Sequence, residues 1–86
     1  MKTNFQPALP HSQFLRLARV RRALEIERRL PGEFHGKRLK CARHVISVPL
    51  GRRWRAIFVE TSLGYQFRDC LTHESYNKIN PATYLP

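Results

Sequence analysis

Acidic residues are scarce in this chain. Six Asp and Glu stand against sixteen Lys and Arg in 86 residues, a formal charge of +10. Such an excess attracts polyanions: nucleic acid, an anionic membrane surface or an acidic protein. Cysteine is also sparse. Two thiols are too few for a disulfide scaffold, so a reducing cytoplasm is the expected compartment. No apolar run approaches the roughly 18–20 residues that cross a bilayer, and Met1-Lys2-Thr3-Asn4-Phe5 does not open a signal-peptide core. A membrane span is excluded on this reading, and secretion is not expected. Internal repeats and low-complexity stretches are missing too.

What is present is a folding composition. The hydrophobic fraction is 42%, that of a domain with a core rather than a disordered tail. The length allows one domain, expected over residues 1–80, with a frayed tail at 81–86 marked by Pro81 and Pro86. A chain this short buries only about 60–65% of its unfolded surface, so its core is small. The charge is uneven. Residues 1–44 hold 11 basic and 3 acidic groups, net +8, whereas residues 45–86 hold 5 and 3, net +2.

Pro7 and Pro10 predict an irregular opening of ten residues. Ser12 is a good helix cap, and the spacing predicts a helix from Gln13 to Leu30, stopped by Pro31-Gly32. Leu17, Val20 and Leu24 form one apolar stripe; Ala23, Ile26 and Leu30 form a second, rotated one. Arginines 16, 19, 21, 22, 28 and 29 fill most of the remainder, either as a solvated face or as one turned to nucleic acid. Residues 31–43 read as a loop with two glycines and several basic residues, among them Lys37, Arg38, Lys40 and Arg43. The period then changes. Residues 44–48, 53–61 and 65–72 read as strands, joined by tight turns at 49–52 and 62–64. The predicted architecture is α+β: a helix or helical hairpin packed on a curved antiparallel meander. Trp54, Ala56 and Phe58 are expected to face the helix, with Arg53, Arg55, Ile57 and Val59 on the other side.

Strand direction places chemistry. The turn at 49–52 and the end of the last strand fall at the same rim of the sheet. Arg52, Arg53 and Arg55 should therefore approach His73 and Tyr76. Guanidinium groups hold phosphate and stabilise charge developing on it, and a neighbouring imidazole and phenol can move protons. These parts suit RNA cleavage by the adjacent 2′-hydroxyl, which requires neither metal nor cofactor. Competing readings have His73 capping the strand end and Tyr76 packing its ring. The pairs Cys41-x-x-His44 and Cys70-x-x-His73 have zinc-ligand types, but the same strand directions separate them by about 20 Å, far beyond coordination or disulfide reach.

Two stretches resemble a known family. Ser47-Val48-Pro49-Leu50-Gly51-Arg52-Arg53-Trp54-Arg55-Ala56-Ile57-Phe58 is similar to the pattern S-I-R-V-G-x-x-Y-R-A-I/V-x of the RelE/ParE superfamily of bacterial type II toxins. His73-Glu74-Ser75-Tyr76-Asn77-Lys78-Ile79 is similar to that family's closing H-D-E-Y-D/N-x-[IL]. Leu9-Pro10 and residues 36–40 add weaker matches. The resemblance implies helices on one face of a curved antiparallel sheet and a growth-inhibiting toxin neutralised by an acidic antitoxin. RelE-like members cut mRNA on the ribosome, whereas ParE members poison DNA gyrase. Arg55 matches the arginine of Y-R-A-I; His73 and Tyr76 match the H-x-x-Y pair. On this basis Arg55, His73 and Tyr76 are the expected catalytic residues, and Lys37, Arg38, Lys40, Arg43, Arg52 and Arg53 the phosphate-binding ones. Pro49 departs from the pattern, since the family frequently has a basic residue there. Either Arg52 or Arg53 takes its place, or this member does not cleave RNA and acts on gyrase or as an inert binding module.

Overall fold

The computed structural model describes residues 9–85, apart from the side chain of Ala82. Most of the predicted irregular opening lies outside the described residues. The chain then forms helix α1 (His11–Arg21), which continues as a π turn over Arg22–Ile26. A short 3-10 turn at Gly32–Phe34 leads into four strands, β1 (Lys37–Leu39), β2 (Ala42–Pro49), β3 (Trp54–Thr61) and β4 (Gly64–Thr72), followed by the one-turn helix α2 (His73–Tyr76). The strands lie in chain order, each antiparallel to the next. The architecture is α+β, as the periodicity predicts.

The helix starts and ends differently from the prediction. Pro10 caps it, its carbonyl accepting from the Phe14 N–H at 2.8 Å, while Ser12 lies inside the first turn and bonds Gln13. Proline has the extended backbone a cap needs, and its missing N–H costs nothing there. At the other end the Glu27 N–H reaches back five residues to Arg22. The rod stops there, with Arg28 in the left-handed region that usually ends helices at glycine. The wider turn swings Ala23 and Leu24 together into the core but turns Ile26 out to 72% exposure, so the second apolar stripe does not pack as one.

The core lies between α1 with its π turn and one face of the sheet. Leu17, Val20 and Leu24 meet Ile46, Val48, Ala56 and Phe58, and Trp54 packs at the margin. Strand β3 alternates as expected. A bulge interrupts its pairing with β4: Ile57 opposes Asp69, but Phe58 opposes Phe67, leaving Arg68 as the extra residue. Phe67 thereby turns back towards the core, edge-on to Phe58 at 5.5 Å.

Two segments differ from the sequence reading. The predicted loop contains β1, which pairs with β2 through Lys37 and Ser47. The tail, expected to fray, folds over the sheet's other face. Tyr84 and Tyr76 pack with Leu39 and Leu71 on Ala42, Val45 and Ile57. The Tyr84 hydroxyl donates to Asp69 at 3.2 Å, its carbonyl lies 2.6 Å from His44 Nε2, and Arg68 donates to the Leu85 carbonyl at 2.7 Å. Burial, together with the Asp69 charge and hydrogen bond, pushes the Tyr84 phenol up to about 12.

Candidate functional site

The β2–β3 turn builds the rim. Leu50 donates its N–H to the Trp54 carbonyl, and Gly51 sits at φ +138, where an L side chain is strained. A Cβ at Gly51 would also come within 2.5 Å of the Gln13 amide on α1, so the turn lies close against that side chain. Arg16 of α1 reinforces it by donating to the Pro49 carbonyl at 3.0 Å. The end of β4 joins the same rim, where the His73 N–H donates to the Arg53 carbonyl at 2.7 Å. Thr72 caps α2 by accepting from Ser75, which fixes the turn carrying Tyr76.

On this scaffold Arg55 and Tyr76 meet, twenty-one positions apart in sequence. The guanidinium carbon lies 4.8 Å from the centre of the Tyr76 ring, a cation–π stack. One guanidinium nitrogen also reaches Ser47 Oγ at 3.4 Å. The stack fixes the plane of the fork, and with five N–H donors available the edge retains donors for an anion. Pro49 pairs with Arg55 across the sheet, so this neighbouring position offers no cation. Lys37 does lie close in the sheet lattice. It pairs with Ser47, shares its face and is exposed.

The other predicted residues fare differently. Arg52 and Arg53 are exposed in the rim turn, and His73 is exposed at the start of α2. Lys40 lies in the β1–β2 turn at the edge of the Tyr76 cluster, and Arg43 is exposed on β2. Arg38 is engaged elsewhere. It donates to Glu60 at 2.6 Å, to the Arg43 carbonyl and to the Tyr65 hydroxyl, and the hydrogen bond to Glu60 raises its affinity for its proton. A phosphate there would have to displace a carboxylate, so Arg38 acts as a clamp across β1, β3 and β4.

Four arginines of α1 and the segment after it, Arg16, Arg21, Arg22 and Arg29, are also occupied. Arg16 stands over the Phe34 ring at 5.7 Å and Arg21 over Phe67 at 4.8 Å. Arg21 pairs with Glu25, while Arg22 and Arg29 pair with Glu27, whose carboxyl is held below the usual range mainly by Arg29. Both cysteines are free thiols. Cys41 is exposed, and Cys70 is buried in the core, where desolvation and then the Asp69 charge push its thiol up to about 11.

The rim, the strand order and the paired motifs agree with one family. A family model of the ParE-like toxin domain matches residues 18–78. The chain belongs to the ParE-like toxins. Neither a curated protein nor a solved structure matches it. As a ParE-like toxin it is the toxic partner of a toxin–antitoxin pair, and an antitoxin is its implied binding partner. Among the described residues no helix is long and apolar enough to cross a membrane.

The sequence missed the packed tail and the short strand that carries Lys37. The available signal for the tail was Tyr84 with Leu85 beside it, an aromatic and an aliphatic residue where fraying was expected. Lys37 could have been placed beside Ser47 only once β1 was known to pair.

Proposed function

We propose that this ParE-like toxin arrests translation as a metal-independent endoribonuclease, cleaving mRNA on the ribosome in the cytoplasm. The observation that carries the reading is the stack of Arg55 on Tyr76 beside a rim held to His73. The 2′-oxygen of one nucleotide attacks the adjacent phosphorus as its proton passes to the His73 imidazole. The bond from phosphorus to the 5′-oxygen breaks, and that oxygen takes a proton from the Tyr76 phenol. The products are a 2′,3′-cyclic phosphate and a 5′-hydroxyl end. Arg55 holds the non-bridging oxygens, with Lys37, Arg52 and Arg53 adding positive potential around them. Lys40 and Arg43 guide the RNA backbone into place. The acidic antitoxin covers the same basic surface.

Pro49 favours a second reading. With no cation opposite Arg55, the phosphate loses one expected ligand, and the chain acts on DNA gyrase by binding alone. Brief induction in growing cells separates the two. Mapped mRNA 5′ ends at new positions within codons support cleavage. Intact messages with DNA-damage signalling and defective supercoiling support gyrase inhibition and refute the nuclease. Unimpaired growth refutes both.

A further inference from the structure

Beyond Tyr76, on the side of the β1–β2 turn, lies a cavity of about 330 Å³. Leu39, Tyr76, Ile79 and Pro81 supply apolar walls, and Lys40 and Asn77 supply polar groups. Its volume is at the lower end of those that hold small ligands. Tyr76 belongs to both places: its ring carries the Arg55 guanidinium and also lines the cavity. A phosphate on Arg55 and a ring in the cavity would thus lie within one side chain of each other.

We propose that this cavity is a nucleobase subsite, receiving a base of the strand whose phosphate Arg55 holds. The proposal rests on the nucleic-acid reading given above. Aromatic and aliphatic walls accept a flat ring and expel its water, and the Asn77 amide can both donate to and accept from a base edge. Lys40 adds positive charge at the mouth, which suits a polyanion and adds to the net charge of +10. Preference among bases would then arise from Asn77 and the cavity's shape, separately from the groups that hold the phosphate.

Deoxydinucleotides test this, because they keep both bases and the phosphate but lack the attacking hydroxyl. Wild-type protein should bind an intact dinucleotide about tenfold more tightly than one with an abasic position, within the range that stacking one base contributes. Inorganic phosphate should compete with both. Cys41 also lines the cavity and is exposed, whereas Cys70 is buried with its thiol pushed up, so a bulky thiol reagent on folded protein loads the cavity selectively. Labelling Cys41, or filling the space by Ile79→Trp, should reduce the tenfold ratio to about one with phosphate competition unchanged. A ratio that survives both changes places the base elsewhere and overturns the proposal. So does a wild-type ratio of one in protein that still binds single-stranded RNA. Wild-type protein that binds neither dinucleotides nor RNA refutes the nucleic-acid reading itself. Loss of an acidic peptide on labelling, with the base ratio intact, would assign the cavity to a protein side chain instead.

Discussion

Replacing Arg55 by alanine separates chemistry from folding, because the two costs differ greatly. In the folded protein Arg55 contributes a cation–π stack on Tyr76 and a long hydrogen bond to Ser47. A half-buried stack is worth about 0.5–1 kcal/mol, and the hydroxyl left behind at the buried Ser47 costs about 1 kcal/mol more. The sum, about 1.5–2 kcal/mol, is less than the roughly 4–13 kcal/mol expected of a domain this size, so the variant stays folded. Removing a preorganised donor from a developing anion costs about 100- to 1,000-fold in rate. Arg55→Ala should therefore lose growth arrest and mRNA cleavage by about two orders of magnitude or more, while its urea midpoint falls only modestly. Ser47→Ala is the control, since it removes the same hydrogen bond and leaves the guanidinium. Primer extension on messages from induced cells, with urea unfolding of both purified variants, gives the comparison. Cleavage by folded Arg55→Ala within threefold of wild type would show that this guanidinium does not hold the reacting phosphate.

Glu25 joins the helical rod to the sheet edge, accepting from Arg21 at 3.0 Å and from the Phe67 N–H at 2.8 Å. Glu25→Ala should cost about 2 kcal/mol in denaturant unfolding, and Glu25→Gln, which keeps an acceptor, less than half of that. Leu24, fully buried in the π turn, should cost about 3 kcal/mol when cut to alanine, read from the same unfolding curves. Tyr84 makes the packed tail sensitive to alkali. Its phenol is held up to about 12 against 10.0 in the unfolded chain, so the fold favours the neutral form. That contribution is whole below about pH 10 and fades as the pH rises towards 12; after discounting for solvent screening it amounts to about 1 kcal/mol. Unfolding midpoints of wild type and Tyr84→Phe across this interval should show a larger alkaline loss in wild type, with Cys70, whose thiol is pushed up to about 11, supplying the part common to both.

The sheet was legible because β2, β3 and β4 carry β-branched and aromatic residues at period two, with turn residues between them. The same alternation fixed which side of β3 carries Arg55, and strand direction alone brought it to the rim of α2. What escaped has local physical causes. Strand β1 is three residues long and largely basic, and it exists through backbone pairing that its side chains do not announce. The helix end shifted because a π turn obeys a different period from the one used to read the stripes. Arg38 resembled its basic neighbours in sequence, and only the fold brings Glu60 to it from twenty-two residues away. The tail looked unstructured because its order depends on Asp69, His44 and Arg68, each on a distant strand position.

The wide turn at residues 22–26 makes chain length at that point a geometric requirement. Deleting a single residue there would restore an ordinary helical pitch and improve the rod taken alone. It would also carry the carboxylate of residue 25 around the cylinder, away from the amide it meets on the outermost strand, and leave that border open to pairing with another chain. A shorter, more regular helix would in this way give a stickier molecule.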